Sequence, residues 1–317
     1  MKKTKRIASN ATTPLVSVIM PVHNTERFLP EAIESILRQT YQRIELLIVD
    51  DCSTDSSWNI IQSYKKRFPK QIRVFRTKVK TNSAGNGATN FALPYAKGEF
   101  IARMDADDVS YATRIEKQVA YLLTHPLTIL VGTQARIIDG NGKITGTKNM
   151  PTTNKAIYRM YGIIHPMIHP SVMLRRSMLP DRNKIYAMKW DVNDDYYTFF
   201  SLLPYGQFAN LSEYLLKYRI HGNNLSLQHP KQKFMNSIKI RMEAIKKLHY
   251  AIPFDSLMIM TMQFIIVSLL PEQIIVPLYM GFRGMNSPIK KAQKLLTNAT
   301  HTLPRITPPK IRYTING

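Results

Sequence analysis

The chain has 317 residues, enough for one large or two small domains, and its 44% apolar content excludes general disorder. A single cysteine, Cys52, excludes an internal disulfide and fits a reducing compartment. The formal net charge of +23 calls for an anionic partner or a well-solvated surface, and charge alone does not choose among nucleic acid, anionic lipid and a diphosphate.

Residues 1–13 form a basic tail with four Lys/Arg and no acid. No apolar stretch follows it before the first strand, so no secretory signal is expected. The β-branched run LVSVIMPV, 15–22, has strand length, and LLIVDD, 46–51, is a second such run. Between them Phe28, Leu29, Ile33, Ile36 and Leu37 recur at helical spacing, with Asn24 or Thr25 expected to cap the start. Residues 53–68 read as a helix opened by Ser53, Thr54 or Asp55. IRVFRT, 72–77, reads as a third strand, 86–97 as a helix, and EFIARMD, 99–105, as a fourth strand. Near-continuous apolar strands alternating with helices predict a doubly wound, mostly parallel α/β sheet.

From 109 to 225 the pattern is mixed, with DGNG at 139–142 a turn signal. Beyond 226 the chain reads as a basic helical extension, with thirteen Lys/Arg against three acids. Residues 256–270 carry no charge, proline or glycine. After Pro271 and Glu272 the run QIIVPLYMGF continues uncharged to 282, and the tail beyond is Pro-rich. A straight membrane span needs about 20 apolar residues. Two shorter pieces joined at a break instead predict interfacial attachment over 253–283, against the alternative of a buried helical pair or a dimer interface.

The chemistry concentrates in Asp105-Ala106-Asp107-Asp108 at the end of the fourth strand, the ligand-binding edge of an open α/β sheet. In extended backbone Asp105 and Asp107 point to one side and can jointly hold a hard divalent ion. The plain alternative is a solvated acidic turn. Asp50 and Asp51 end the second strand at the same edge, where a carboxylate can accept from a base N–H or a ribose hydroxyl, or cap the next helix. Cys52 beside two carboxylates is a packing residue, because a thiolate needs positive neighbours. Met258, Met260 and Met262 suit packing or lipid contact rather than metal binding.

The segments VSVIMPVHN at 16–24, ELLIVDDCSTDSS at 45–57, GNGATNFALPYAKGEFIARMDADD at 85–108, HPSVMLRRS at 169–177, DDYYTFF at 194–200 and YRIHGNNLS at 218–226 occur in the order found in family 2 glycosyltransferases of the GT-A fold, and the chain resembles that family over about two thirds of its length. The resemblance implies inverting transfer of a sugar from a nucleotide-diphosphate donor to a saccharide or lipid-linked acceptor in cell-surface glycan assembly, with Mg²⁺ or Mn²⁺ and no nucleic acid. It implies a nucleotide-sugar-binding half at 14–108 and an acceptor-binding, catalytic half at 109–225. By position, Pro21, His23, Asp50 and Asp51 fall to the nucleotide, Asp105 and Asp107 to the metal and diphosphate, and Asp195 to the general base, with Asp194 as runner-up. Arg219 and His221 fall against the donor diphosphate. The enzyme is expected in the cytoplasm, peripheral at the inner face of the membrane.

The chain departs from the family pattern in having Asp194-Asp195 in place of Glu-Asp and no arginine near Ser201. Before the third helix, Lys78 and Lys80 are the cations available to face phosphate. Gly85 and Gly87 do not form GxGxxG, which excludes a dinucleotide fingerprint. Two other readings stay open: a metal-dependent nuclease or nucleotidyltransferase, and an inactive glycan- or nucleotide-binding protein.

Overall fold

The computed structural model describes residues 13–81, 84–221 and 230–270. The basic residues 1–12, the end of the YRIHGNNLS motif, the second apolar run and the Pro-rich tail lie outside the described residues.

Strand β1 (Val16–Val22) is buried along its whole length and pairs in parallel with β2 (Ile44–Asp50) on one side and β4 (Phe100–Arg103) on the other. Strand β3 (Ile72–Arg76) extends the parallel sheet beyond β2. Alternate side chains feed two separate cores. Val18, Met20, Leu46, Ile48 and Ala102 face helices α1 (Leu29–Leu37) and α2 (Ser57–Arg67), while Ile19, Leu47, Val49 and Ile101 face α3 (Asn86–Ala92). Burial on both faces is why these strands carry no polar alternation.

The order β3-β2-β1-β4 reverses direction at β1, so the connections leaving β1 and β4 diverge and open a crevice at their carboxyl ends. Neither expected side chain caps the first helix. Helix α1 has no side-chain cap, because the Asn24 carbonyl oxygen accepts from the Thr54 amide at 2.8 Å and Thr25 contributes only its main-chain carbonyl. Asn24 thus joins the β1 and β2 loops at the crevice mouth.

The second half completes the sheet. Short β5 (Val109–Ser110) leads into α4 (Arg114–Thr124), then β6 (Thr128–Ile138) and β7 (Ile144–Lys148) form a hairpin across the expected turn. There Asp139 accepts from the amides of Asn141 and Lys143, bonds that hold its carboxyl below the usual range, and Gly142 takes φ +82°. After α5 (Asn154–Tyr161), β8 (Met173–Arg175) pairs antiparallel between β4 and β6. Helix α6 (Asp194–Leu202) then precedes β9 (Gln207–Arg219), which runs parallel to β6 and antiparallel to β5. The β5–β9 pair brings residues 218–221 to the acidic loop at 105–108.

Helix α7 (Pro230–Lys247) packs Ile240 and Ala244 into the same core as α3, α5 and α6. Helix α8 (Phe254–Leu269) turns only Ser256, Met260, Gln263 and Val267 inward, at 4-3-4 spacing. The inward polar groups are bonded: Ser256 to the Arg159 carbonyl, and Gln263 to the buried Arg241 guanidinium at 3.0 Å. Its outward face is apolar, with Phe254 and Leu269 each 78% exposed and Met258, Met262, Phe264 and Ile265 also in solvent. Among the described residues no helix is long and apolar enough to cross a membrane.

Candidate active site

An open cleft of about 520 Å³ lies at the carboxyl ends of β1, β2 and β4, lined by Pro21, His23, Asp51, Asp105, Asp107, Asp195 and His221 among others. Seven of the ten side chains expected there from the sequence are present. Asp50, Asp194 and Arg219 are not.

One wall is built on Pro21 and the loops after β1 and β2. A Cβ on Gly85 would stand 2.8 Å from Pro21 Cγ, and Gly85 has φ +80°, so only glycine fits beneath this floor. His23 Nδ1–H donates to the Asp51 carbonyl at 2.8 Å, which leaves Nε2 of the neutral ring as an acceptor. The buried Asp51 carboxylate accepts from Thr77 Oγ1, the Thr81 amide and Thr81 Oγ1 at 2.8–2.9 Å. These bonds pin the chain after β3 against the cleft and place Lys80, but not Lys78, in its wall. Asp50 corrects the sequence expectation. One position earlier on an extended strand, it points the other way, is fully buried and pairs with Arg76 Nε at 2.9 Å.

Asp105, Asp107 and Asp108 can each offer an oxygen within 4.8 Å of the others. Asp105 Oδ1 accepts from Arg103 Nε at 2.8 Å, and Asp107 Oδ2 from His221 Nε2 at 3.0 Å. Asp108 is buried, and burial together with its two carboxylate neighbours pushes its carboxyl well above the usual range. Its Oδ1 accepts the Arg219 amide at 2.8 Å. A cluster of three carboxylates, two half-buried and the third buried and raised by burial and by the other two, has the donor set and charge that suit a hard divalent cation.

Arg219 is the second correction. It is 2% exposed, and its guanidinium donates to the carbonyls of Asp107 and Asp139 and pairs with Glu31 at 2.5 Å. It ties the acidic loop to α1 and to the β6–β7 turn rather than facing the cleft. The lysines and arginine that do line the cleft are Lys80, Arg103, Lys148 and Lys233, with His221 beside Asp107. Lys148, on β7, lies close enough to influence both Asp108 and His169. Lys148 and Lys233 belong to no motif, and in a chain with 44 Lys/Arg nothing in the sequence singles them out.

At the opposite wall, adjacent aspartates again divide. Asp194 is fully buried, and its Oδ1 accepts the amides of Lys189 and Trp190 at 2.6 and 2.7 Å. It closes a loop in which Met188 and Asp191 both take positive φ, so the runner-up base is a structural residue. Asp195 lines the cleft, with Oδ2 3.3 Å from His165 Nε2 and 4.0 Å from His169 Nδ1. His169 Nε2 meets the Tyr186 hydroxyl at 2.6 Å, and burial with the nearby Arg103 charge pushes its pKa down to about 3. Sequence reasoning assigned no role to either histidine. Their signal was the pattern HPMIHP, two histidines four apart, each before a proline.

Residues 17–182 match the sequence family described as Glycosyl transferase family 2. The chain belongs to that family. This glycosyltransferase is 38% identical over 164 residues to EpsE of Bacillus subtilis (strain 168), covering 52% of this chain and 57% of that protein. It is 31% identical over 221 residues to the Escherichia coli UDP-Glc:alpha-D-GlcNAc-diphosphoundecaprenol beta-1,3-glucosyltransferase WfgD, covering 67% and 79% respectively. The mannosyltransferase PcManGT of Pyrobaculum calidifontis, solved with GDP-Man and Mn²⁺, superposes with a TM-score of 0.59 at 17% identity, over 96% of this chain and 85% of that one. The fold is GT-A. Family membership sets aside the nuclease and nucleotidyltransferase reading.

Proposed function

We propose that this glycosyltransferase moves a sugar from a nucleoside-diphosphate sugar onto a saccharide or lipid-linked acceptor, with inversion, in cell-surface glycan assembly. One observation carries the reading: a wall of Pro21, His23 and Asp51, a three-carboxylate cluster, and the Asp195 carboxylate on the far wall share one cleft. The acceptor hydroxyl gives its proton to Asp195 as its oxygen attacks the anomeric carbon, and a single displacement inverts that centre. Lys80, Lys148 and Lys233 line the cleft where positive charge can balance the departing diphosphate, and His221 can offer it a hydrogen bond. A Mg²⁺ or Mn²⁺ held by Asp105, Asp107 and Asp108 would supply further positive charge to the leaving diphosphate. The WfgD name pairs a nucleotide sugar with a lipid-diphosphate saccharide, which supports this substrate class.

The test is nucleotide release from a panel of UDP-, GDP- and dTDP-sugars with Mg²⁺ or Mn²⁺, offered saccharide and lipid-diphosphate saccharide acceptors. Acceptor-dependent release is expected from at least one donor, with NMR of the product giving the anomeric configuration opposite to that of the donor. Retention would overturn the single displacement. No release from any donor would overturn the donor class.

The same reading includes attachment at the cytoplasmic face of an anionic membrane through the outward side of α8. Its exposed Phe254, Met258, Met262, Ile265 and Leu269 form an uncharged surface, and Lys246 and Lys247 stand exposed at the end of the preceding helix. Apolar insertion joined to basic side chains favours anionic lipid, at about 1 kcal/mol for each Lys or Arg near the surface. The full chain is expected to float with anionic liposomes and less with neutral ones. A variant carrying Met258→Glu, Met262→Glu and Ile265→Glu, all on the exposed side, is expected to stay behind. Equal flotation of the two proteins would place the membrane contact elsewhere. No flotation of either, with a concentration-dependent dimer, would assign this face to a second copy.

A further inference from the structure

His165 is buried and does not line the cleft, yet it touches the proposed base. The Met167 amide donates to His165 Nδ1 at 3.2 Å. An imidazole nitrogen that accepts an N–H carries no proton, so in the neutral ring the proton sits on Nε2. Nε2 lies 3.3 Å from Asp195 Oδ2, a close polar contact outside hydrogen-bond geometry in which the ring turns its N–H edge to the carboxylate. The ring is clamped in place: it stacks on Tyr161 and Tyr196, with centroids 6.1 and 5.3 Å away, and meets Phe199 edge-on at 5.6 Å. The Tyr196 amide donates to the other oxygen, Oδ1, at 2.8 Å.

We infer that His165 is a positioning residue for Asp195: its Nε2–H holds the carboxylate in one rotamer with the second oxygen edge toward the acceptor, and keeps it ionised. The inference rests on the reading of Asp195 as the general base. Other groups also act on that carboxylate: His169 at 4.0 Å, the buried Arg103 charge, and the hydroxyls of Tyr161 and Tyr186. Arg103 and the tyrosines are unchanged by substitution at 165, so the histidine contribution can be isolated.

The positive end of an N–H dipole turned toward a carboxylate favours its ionised form, so removing that group raises the pKa of the base. The base then stays protonated to higher pH, and the acid limb of the kcat profile moves upward. His165→Phe keeps an aromatic ring in the stack but removes the donor. It is expected to lower kcat about tenfold or more and to move the acid limb up by about one pH unit, with donor KM unchanged. His165→Gln places a side-chain N–H near the position of Nε2 and is expected to restore most of the limb. A residue that only packs would give the reverse order, with Phe tolerated better than Gln. That order, or a wild-type acid limb in His165→Phe, overturns the inference. If the Phe variant does not fold, His165→Asn, which is too short to reach Asp195 from the same backbone, is read against Gln in its place. Asp195→Asn run alongside separates the two levels: near-wild-type turnover there removes the base itself, whereas an inactive Asp195→Asn with an unshifted His165→Phe removes only the positioning role.

Discussion

Asp195→Asn is expected to cut turnover by ~10²–10⁴-fold while leaving donor affinity unchanged. Asparagine keeps the size of the side chain, and its carbonyl oxygen can still accept from the Tyr196 amide. Only basicity is removed. The measurements are kcat by nucleotide release and donor affinity by calorimetry. The neighbouring residue is the internal control. Asp194 accepts two loop amides and is fully buried, so Asp194→Ala leaves both amides without their charged acceptor and is expected to lower stability by ~1–3 kcal/mol, read as a fall in Tm. Asp195→Asn is expected to leave Tm near that of the parent. Near-wild-type turnover in Asp195→Asn would remove the base assignment.

The second large effect is expected at Asp107→Asn. The amide oxygen can still accept from His221 Nε2, so the β9 end and the acidic loop should stay together. What changes is one negative charge in a cluster of three carboxylates. Charge stabilisation by a bound cation is worth several kcal/mol at a leaving diphosphate, so turnover is expected to fall by ~10³-fold or more. Metal-dependent binding of the free nucleoside diphosphate, measured by calorimetry with and without Mg²⁺ or Mn²⁺, should disappear in the same variant. EDTA should inactivate the parent enzyme, and added Mg²⁺ or Mn²⁺ should restore it. Full activity in excess EDTA would sink the cation proposal and leave the lysines to balance the diphosphate alone. These readouts do not depend on Asp195, so one assignment can fail without the other.

Much of the amino-terminal half was legible because buried parallel strands need continuous apolar runs, and those runs have few alternatives. VSVIMPV, IELLIVD and FIAR form β1, β2 and β4 within a residue or two of their expected ends. The rule that ligands gather at strand carboxyl ends points to Asp51, Asp105 and Asp107, and the family resemblance adds Pro21 and His23; all five line the cleft. The second half was less legible because its strands pair across long separations. The register of β9 against β5 and β6 is set by packing, and no local pattern encodes it.

By itself, then, the sequence determined the fold class and the residue types that gather in the cleft at the carboxyl edge of the sheet. Only the tertiary structure decided which member of each adjacent pair does which job. Asp50 and Asp51 are neighbours in the same motif, yet the strand pleat sends one to Arg76 and the other to the cleft. Asp194 and Asp195 open one helix, yet the first closes the preceding loop and the second meets His165. Arg219, in a motif that points to phosphate, is instead paired with Glu31, 188 positions away in sequence. A charged side chain is held by whichever partner the fold brings within about 4 Å, and partners that far apart in the chain leave no trace in its local pattern.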